Sequence, residues 1–453
     1  MPDDTQPEAT PRTRDVVVIG GGLAGITAAL HLSEQGNDVH LVEQAPRLGG
    51  KLDEITIDGI VIPKAADNFL ARRDEVSDLA EQLGLASGLN EPSARSPRIY
   101  RDGRLHPLPA NVLGIPATDE LSATGLISVE GQTRAGLDRT MPDDRTNQDE
   151  SVGAMVRRRL GDEVLEYLVD PLLGGINAGD TDRLSLASGT PQLAELRALD
   201  ASLLTAAEST IASRPPSPGP VFRSLRGGLC RLVDAAEDLL RSRPNVSIEL
   251  NSTAALERDG DRWTVGSVTA DSVVIATPAF AAASLVEPFA HGLSQQLALM
   301  DYSSVAMAII VLPEGTLDID PSVSGILVPR KCGLHVTAIS FASHKWPEMA
   351  GDGRQILRIS VGRRTDARWR DYSDDELTNI IVSDACQILG QEVPRGESGI
   401  VRWPQSLPQY DVGHVDWLRE VDAAAAEFRG LSLVGAWRNG LGLPAVVASG
   451  QSA

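Results

Sequence analysis

The chain of 453 residues is acidic, with a net charge of −21, a hydrophobic content of 42% and three cysteines. That length can bury a large core in about two or three domains, and that charge argues against nucleic acid or wide contact with an anionic membrane. Runs of about 18 apolar residues free of glycine breaks are absent, which excludes a spanning helix, and Cys230, Cys332 and Cys386 show neither metal nor redox spacing and read as buried small hydrophobes in a reducing compartment.

Residues 1–14 are polar and proline-bearing, so disorder is expected there. They carry no secretory or twin-arginine pattern, which points to the cytoplasm. Then Val16–Ile19 form a continuous apolar run, as in a strand buried on both faces. The turn Gly20-Gly21-Gly22-Leu23-Ala24-Gly25 follows and opens a helix to about Gln35, stopped by Gly36-Asn37. Gly20, Gly22 and Gly25 have G-x-G-x-x-G spacing. The first permits a tight turn, the second lets backbone approach a pyrophosphate, and the third lets helix pack on strand. The helix N-terminus offers free N–H groups to that pyrophosphate. Glu43 ends the next strand, 18 residues after Gly25, where an acid grips a ribose hydroxyl. Gln44 leads into Arg47-Leu-Gly-Gly-Lys51, a turn able to wrap the rest of a dinucleotide: Arg47 and Lys51 supply charge while Gly49 and Gly50 allow close approach.

Asp58-Gly59 marks a hairpin within residues 52–62, Asp74–Leu83 an amphipathic helix ended by Gly84, and Asp102-Gly103 a second hairpin joining Ile99-Tyr100 to Arg104-Leu105. Residues 110–211 read as mainly helical, with Ser151 as a cap and Gly161 as an interruption. Arg214–Pro220 is a stiff proline-rich connector. After it come a helix from about Cys230 to Ser242 and strands at Val246–Leu250, Trp263–Val265 and Asp271–Ala276, the return of the chain to the first sheet. Strands at Ala306–Val311, Gly325–Val328, Leu334–Phe341 and Ile356–Val361, with a helix at Asp374–Leu389, predict a mixed or antiparallel sheet with helices on one face. The C-terminal stretch is strand, glycine turn and helix start again: Leu431–Val434, Gly435 to Gly442, then Leu443-Pro444.

The glycine turn, Arg47-Leu-Gly-Gly-Lys51 and Gly435…Gly442-Leu-Pro444 resemble the FAD site of the flavin amine oxidase superfamily. Several further segments resemble the oxygen-dependent coproporphyrinogen III and protoporphyrinogen oxidases within it. They are Arg104-Leu-His-Pro-Leu-Pro109, Val169-Asp-Pro-Leu-Leu-Gly-Gly-Ile-Asn-Ala-Gly-Asp180, Gly219-Pro-Val-Phe222 with Gly227-Gly228, His344-Lys-Trp346, Leu357-Arg…Gly362-Arg363 and Pro408-Gln-Tyr-Asp-Val-Gly-His414. They stand in the family's order and span nearly the whole chain.

The resemblance implies a discontinuous Rossmann-like FAD-binding domain (12–72, 221–290 and 428–453), a mixed-sheet substrate domain (73–109 and 291–427) and a helical insertion (110–220). It implies an oxidoreductase that removes hydrogen from a porphyrinogen in haem biosynthesis by hydride transfer to flavin, with O2 as acceptor and H2O2 as product. FAD contacts are then expected from Gly20–Gly25, Glu43, Gln44, Arg47, Gly49, Gly50, Lys51, Ala254, Gly435, Trp437, Gly442, Leu443 and Pro444. The flavin carries the chemistry, so no catalytic side chain and no metal are expected.

A propionate-bearing substrate calls for an apolar slot with cations at its rim. Gly174 and Gly175 are the expected seat of the macrocycle. His106, His344 and Arg358 are the expected polar contacts, with Arg104, Lys345, Arg363 and Arg402 as further candidates. Leu113 stands where protoporphyrinogen enzymes of the family tend to have arginine, which favours coproporphyrinogen. Ala65 stands where the family usually has glycine before Ala66-Asp67, with Lys64 beside it, and Asn177 stands where tyrosine is common. Peripheral membrane contact and transient contact with the next haem-pathway enzyme stay open. So do three rivals on the same fold: an amine oxidase, a carotenoid-type desaturase, and a non-enzymatic carrier similar to the prenyl-GTPase dissociation inhibitors.

Overall fold

The computed structural model describes residues 12–117, 121–146, 148–214 and 219–453. Strand β1 (Arg12–Ile19), helix α1 (Leu23–Glu34) and strand β2 (Val39–Val42) realise the expected opening unit. Val16 and Val18 enter one core while Val17 and Ile19 enter another, so the unbroken apolar run reflects burial on both faces. Arg12–Arg14 depart from the expected disorder. They extend β1 by pairing with Val268–Ala270. Residues 1–11 lie outside the described residues, as do Pro215–Pro218 of the expected connector.

Among the described residues, β1 lies between β2 and Val268–Ile275, and Val246–Glu249 lies beyond β2, all parallel. On its far edge, Val268–Ile275 pairs with Arg262–Val265 at its start and with the parallel strand Leu431–Leu433 at its end. Three distant stretches of chain thus share one sheet. Helix α1, helix Cys230–Ser242 and the C-terminal helix Leu443–Gln451 cover one face through Ile26, Leu30, Leu232, Val233 and Val447.

The second sheet runs in the order Glu397–Pro408, Tyr302–Leu312, Gln355–Val361, Val336–Phe341, Val323–Leu327, Ser96–Arg101, Arg104–Pro107. It is antiparallel except where Val323–Leu327 meets Ser96–Arg101, so it is mixed, as expected. Helix Asp374–Leu389 starts at a capping box between Ser373 and Glu376, stops at Gly390 (φ +65°), and buries Leu377, Ile381 and Ile388 against Leu357, Ile359 and Val361. The other face sets Ile356 and Val401 against the hairpin carrying Ile57, Ile60 and Ile62. Strand Glu397–Pro408 and helix His414–Ala425 escape the sequence reading. The strand contains Gly399 and Pro404 and is only partly buried, so it carries no alternating apolar signal.

The helical region includes Val152–Leu160, capped by the Ser151 hydroxyl and stopped at Gly161 (φ +89°). A wide turn of helix, Leu165–Val169, follows and leads into Asp170–Asn177. Cys230 is buried, and desolvation pushes its thiol up to about 12. Cys332 and Cys386 are half-buried, so the expectation of three buried thiols holds for one. Among the described residues no helix is long and apolar enough to cross a membrane.

Candidate functional site

Every parallel strand of the first sheet ends at the same edge, where open α/β sheets bind ligands. The turn Gly20–Gly25 follows β1, Glu43–Lys51 follows β2, residues 251–254 follow Val246–Glu249, and Gly435–Gly442 follow Leu431–Leu433. Gly20 takes φ +105°. A Cβ on Gly25 would sit 1.8 Å from the Gly20 carbonyl oxygen, so no side chain fits. A Cβ on Gly22, at the start of α1, would meet nothing within 4 Å, so the turn is open where a ligand would approach. Leu23 and Ala24 are buried in the first turn of α1, whose leading N–H groups have no intrahelical acceptor.

The Glu43 carboxylate accepts from Gly21 N at 2.6 Å and from Ala45 N at 2.7 Å. It therefore ties the glycine turn to the loop after β2, a structural duty that spacing alone did not reveal. A carboxylate has about four lone-pair sites, so capacity remains for a ribose. Gly49 N donates to Gly21 O at 2.8 Å, and a Cβ on Gly50 would lie 3.2 Å from Gly22 Cα, so the two glycine turns stack. Gln44 is exposed beside them. Arg47 donates to its own turn at Leu52 O, 2.7 Å away, and lies 3.4 Å from Asp53. Lys51 is exposed, and the protein packed around its stem lowers its ammonium pKa by desolvation. Asn251 N and Ser252 N donate to Ala45 O and Glu43 O, which brings half-buried Ala254 to the same edge.

The C-terminal turn closes the group. Gly435 takes φ +139°, and its N–H donates to Ser449 Oγ at 2.9 Å. Buried Trp437 donates its indole N–H to Thr277 O at 3.1 Å, tying this turn to the end of Val268–Ile275. Gly442 is exposed and starts the last helix, Leu443 is half-buried, and Pro444 is buried in the first turn. A Cβ on Gly450 would lie 1.9 Å from Thr27 Oγ1, so the end of that helix packs directly on α1.

On the substrate side the expected residues do not form one group. Gly174 and Gly175 lie inside helix Asp170–Asn177, not in a loop, and the helix ends at Ala178 (φ +45°). Gly174 is buried, and a Cβ there would lie 3.2 Å from Arg363 Nη1, while Gly175 and Ile176 are exposed. Asp170 anchors the helix by accepting from Thr181 Oγ1 at 2.9 Å, Arg330 Nε at 3.0 Å and buried Arg363 at 3.3 Å. Burial lowers the Arg363 pKa.

Arg358 is not a rim cation. It is 4% exposed, it donates to Ala65 O, and it stands 3.0 Å from Asp67, which also holds Lys345 at 2.6 Å. Burial would raise the Asp67 pKa, but Lys345 and Arg358 outweigh it and hold that carboxyl well below the usual range. His106 is spent on Thr124 O at 2.8 Å and His344 on Val323 O at 3.1 Å. Arg402 pairs with Asp374 at 2.9 Å and Lys64 with Asp53 at 2.6 Å, whereas Arg104 is exposed. Leu113 is half-buried with φ +48°.

The profile of the flavin containing amine oxidoreductase family matches residues 23–453. The chain belongs to that family. This FAD-dependent oxidoreductase is 32% identical to a protein named coproporphyrinogen III oxidase from Bacillus subtilis (strain 168), over 97% of each chain. It is 33% identical to one of the same name from Mycobacterium tuberculosis (strain ATCC 25618 / H37Rv), over 96% of this chain and 95% of the relative. A crystal structure of a protein provisionally named protoporphyrinogen oxidase, from Exiguobacterium sp. 255-15, matches with a TM-score of 0.86 at 30% identity over 97% of each chain. The Rossmann-like sheet joined to a mixed sheet is the fold of the family.

The edge of the first sheet fits FAD in this flavoenzyme. Gly22 is open, Glu43 has lone pairs to spare, and α1 turns its N-terminus to the same edge. The sequence reading missed Asp67, and it quoted Gln409 and Tyr410 only within a motif. A buried ion pair leaves no local pattern: Trp346, which also donates to Asp67, is 279 residues further on.

Proposed function

We propose that this flavoenzyme oxidises coproporphyrinogen III to coproporphyrin III in the cytoplasm, with O2 as acceptor and H2O2 as product. The observation that supports this most is the similarity to a protein named coproporphyrinogen III oxidase over 97% of both chains. Bound FAD supplies the two-electron acceptor. The chain's own residues bind and orient. Gly20, Gly22 and Gly25 with the N-terminus of α1 would take the pyrophosphate, and Glu43 the ribose. Gly435 to Pro444 would take the other end of the cofactor.

The domain division that goes with it is residues 12–72, 221–290 and 428–453 for FAD, 73–109 and 291–427 for substrate, and 110–220 as the helical insertion, except that helix Glu75–Gln82 packs through Val76, Leu79 and Ala80 into the core of the first sheet and is assigned to the FAD side. Gly175 and Ile176 expose a bare helix surface suited to a flat macrocycle. Arg104, exposed on its hairpin, remains for the propionates, whereas His344 is held by Val323 O and Arg358 by Asp67.

Protoporphyrinogen IX oxidation is the second reading, favoured by the assignment of the Exiguobacterium structure. Leu113 speaks against it, because protoporphyrinogen enzymes of the family tend to have arginine at that place. The test is FAD-replete protein mixed anaerobically with each porphyrinogen and then exposed to air. Porphyrin fluorescence is expected with coproporphyrinogen III and much less with protoporphyrinogen IX. No fluorescence with either overturns the proposal.

A further inference from the structure

The segment Pro408–His414 has no role in the reading above, yet its side chains reach both walls of the site. Gln409 is buried, and its amide nitrogen donates to Asn177 O at 3.0 Å, the last residue of the helix that carries Gly174 and Gly175. Its amide oxygen lies 2.8 Å from where a Cβ of Gly179 would be. The next residue, Tyr410, is 2% exposed, and its hydroxyl donates to Ala436 O in the C-terminal glycine turn. Burial raises the Tyr410 pKa, so the hydroxyl keeps the proton this bond requires.

His414 stacks edge-on against the Tyr410 ring at 4.9 Å and contacts Arg438 O through Nε2 at 3.2 Å. The segment is itself held firmly. Gln409 N donates to Asp301 O at 2.9 Å, Tyr410 O accepts from Ser185 N at 2.8 Å, and Asp411 receives Arg364 at 2.5 Å and Arg183 at 2.7 Å.

We propose that Gln409 and Tyr410 form one positioning bracket that sets the gap between the helix Asp170–Asn177 and the turn Gly435–Gly440. The inference rests on the reading of those two elements as the macrocycle seat and the flavin-side wall. Neighbouring Cα atoms are about 3.8 Å apart, so the two walls are held from adjacent points of one segment, and the bracket couples the position of one to that of the other. Electron-pair transfer between two bound rings depends steeply on their approach, and an error of about 1 Å can cost about 100-fold.

The experiment uses the holoenzyme and two variants, Tyr410→Phe and Gln409→Ala, alone and combined. Tyr410→Phe keeps the ring against His414 and removes only the hydroxyl. With coproporphyrinogen III under anaerobic stopped flow, it is expected to slow flavin reduction about tenfold, with KM changed less than about twofold. FAD content and reoxidation in air stay as in the parent. The double variant is expected to be little slower than the slower single one, because the two residues act as a unit.

Amide hydrogen exchange supplies a readout independent of turnover. Gln409→Ala is expected to speed exchange in residues 435–440, and Tyr410→Phe in residues 170–177, each at the wall its own side chain does not touch. Exchange changes confined to the touched wall, or reduction at the parental rate in both variants, overturn the bracket. If the parent enzyme is not reduced by the porphyrinogen at all, the functional reading fails, and the exchange data alone decide the bracket.

Discussion

The two halves of the site are built from different materials. On the proposed nucleotide side the chain offers backbone and space: glycine turns, helix N–H groups, and one carboxylate that ties two loops together. On the substrate side they are long side chains in buried ion pairs that join segments far apart in sequence. Backbone solutions demand particular residue types at fixed local spacing, whereas a salt bridge demands only that two charges meet in the fold. The first half is therefore intolerant of added atoms, and the second is intolerant of lost charges.

The largest expected effect comes from Gly25→Ala. The new Cβ would lie 1.8 Å from the Gly20 carbonyl oxygen, a backbone atom that cannot swing aside, so α1 must leave its strand. Loss of folded protein is expected, read as absence of a cooperative thermal transition. Gly22→Ala is the control that separates packing from binding. Gly22 has φ −70° and open space around its Cβ, so the variant should melt like the parent but hold FAD more weakly in an equilibrium titration. Equal FAD affinity in Gly22→Ala would remove the turn from the pyrophosphate site.

That contrast explains what the sequence disclosed. Gly20, Gly22 and Gly25, Asp58-Gly59, Asp102-Gly103, Ser151 and Gly161 each act within a few residues of themselves, and all were readable. The helices Cys230–Ser242 and Asp374–Leu389 were readable for the same reason, since amphipathic spacing and the residues at their ends are local. Arg358 was recognised as important in type but misplaced in role. A cation in an apolar strand looks the same in sequence whether it faces solvent or meets Asp67. Gln409 and Tyr410 work through carbonyl oxygens of Asn177 and Ala436, and a carbonyl has no sequence identity to betray it.

Asp67→Ala should produce the next largest effect. It leaves Lys345 and Arg358 facing each other without their shared carboxylate, a loss of about 3–5 kcal/mol in denaturant unfolding. The acid limb has a definite sign. The folded-state pKa of Asp67 is depressed, so its contribution is complete above its unfolded value of about 3.9 and fades as pH falls below that. Asp67→Ala should therefore flatten the stability profile below about pH 4. A variant as stable as the parent at pH 7 would mean that this ion cluster adds nothing to the joint between residues 64–70 and the second sheet.

Glu43→Gln tests the one place where the nucleotide side depends on charge. The amide keeps a single acceptor where the carboxylate offered two, so one of the bonds from Gly21 N and Ala45 N is lost and the other weakens. Charge-assisted bonds of this kind contribute about 1.5–3 kcal/mol. The expected result is a loss of that order divided between thermal stability and FAD affinity. A loss confined to affinity would assign Glu43 to the ribose alone, and one confined to stability would assign it to the turn alone.

The smallest expected effect is at His414, where the two halves meet. Burial lowers its pKa below the ordinary value, so the folded protein holds the ring neutral. Arg438 O can only accept, which places the ring proton on Nε2. The unfolded chain takes up a proton near pH 6.5 and the folded one only at lower pH, so stability must fall as pH drops through about 6.5. Below the folded-state pKa the fall stops, because both states are then protonated. Each unit of separation between the two pKa values corresponds to about 1.4 kcal/mol. His414→Gln can still donate to Arg438 O but does not titrate, so it should flatten the thermal-stability profile where pH falls through about 6.5. An unchanged slope would mean that the folded protein accommodates the imidazolium beside Tyr410, and that the joint between the two halves is looser there than its hydrogen bonds suggest.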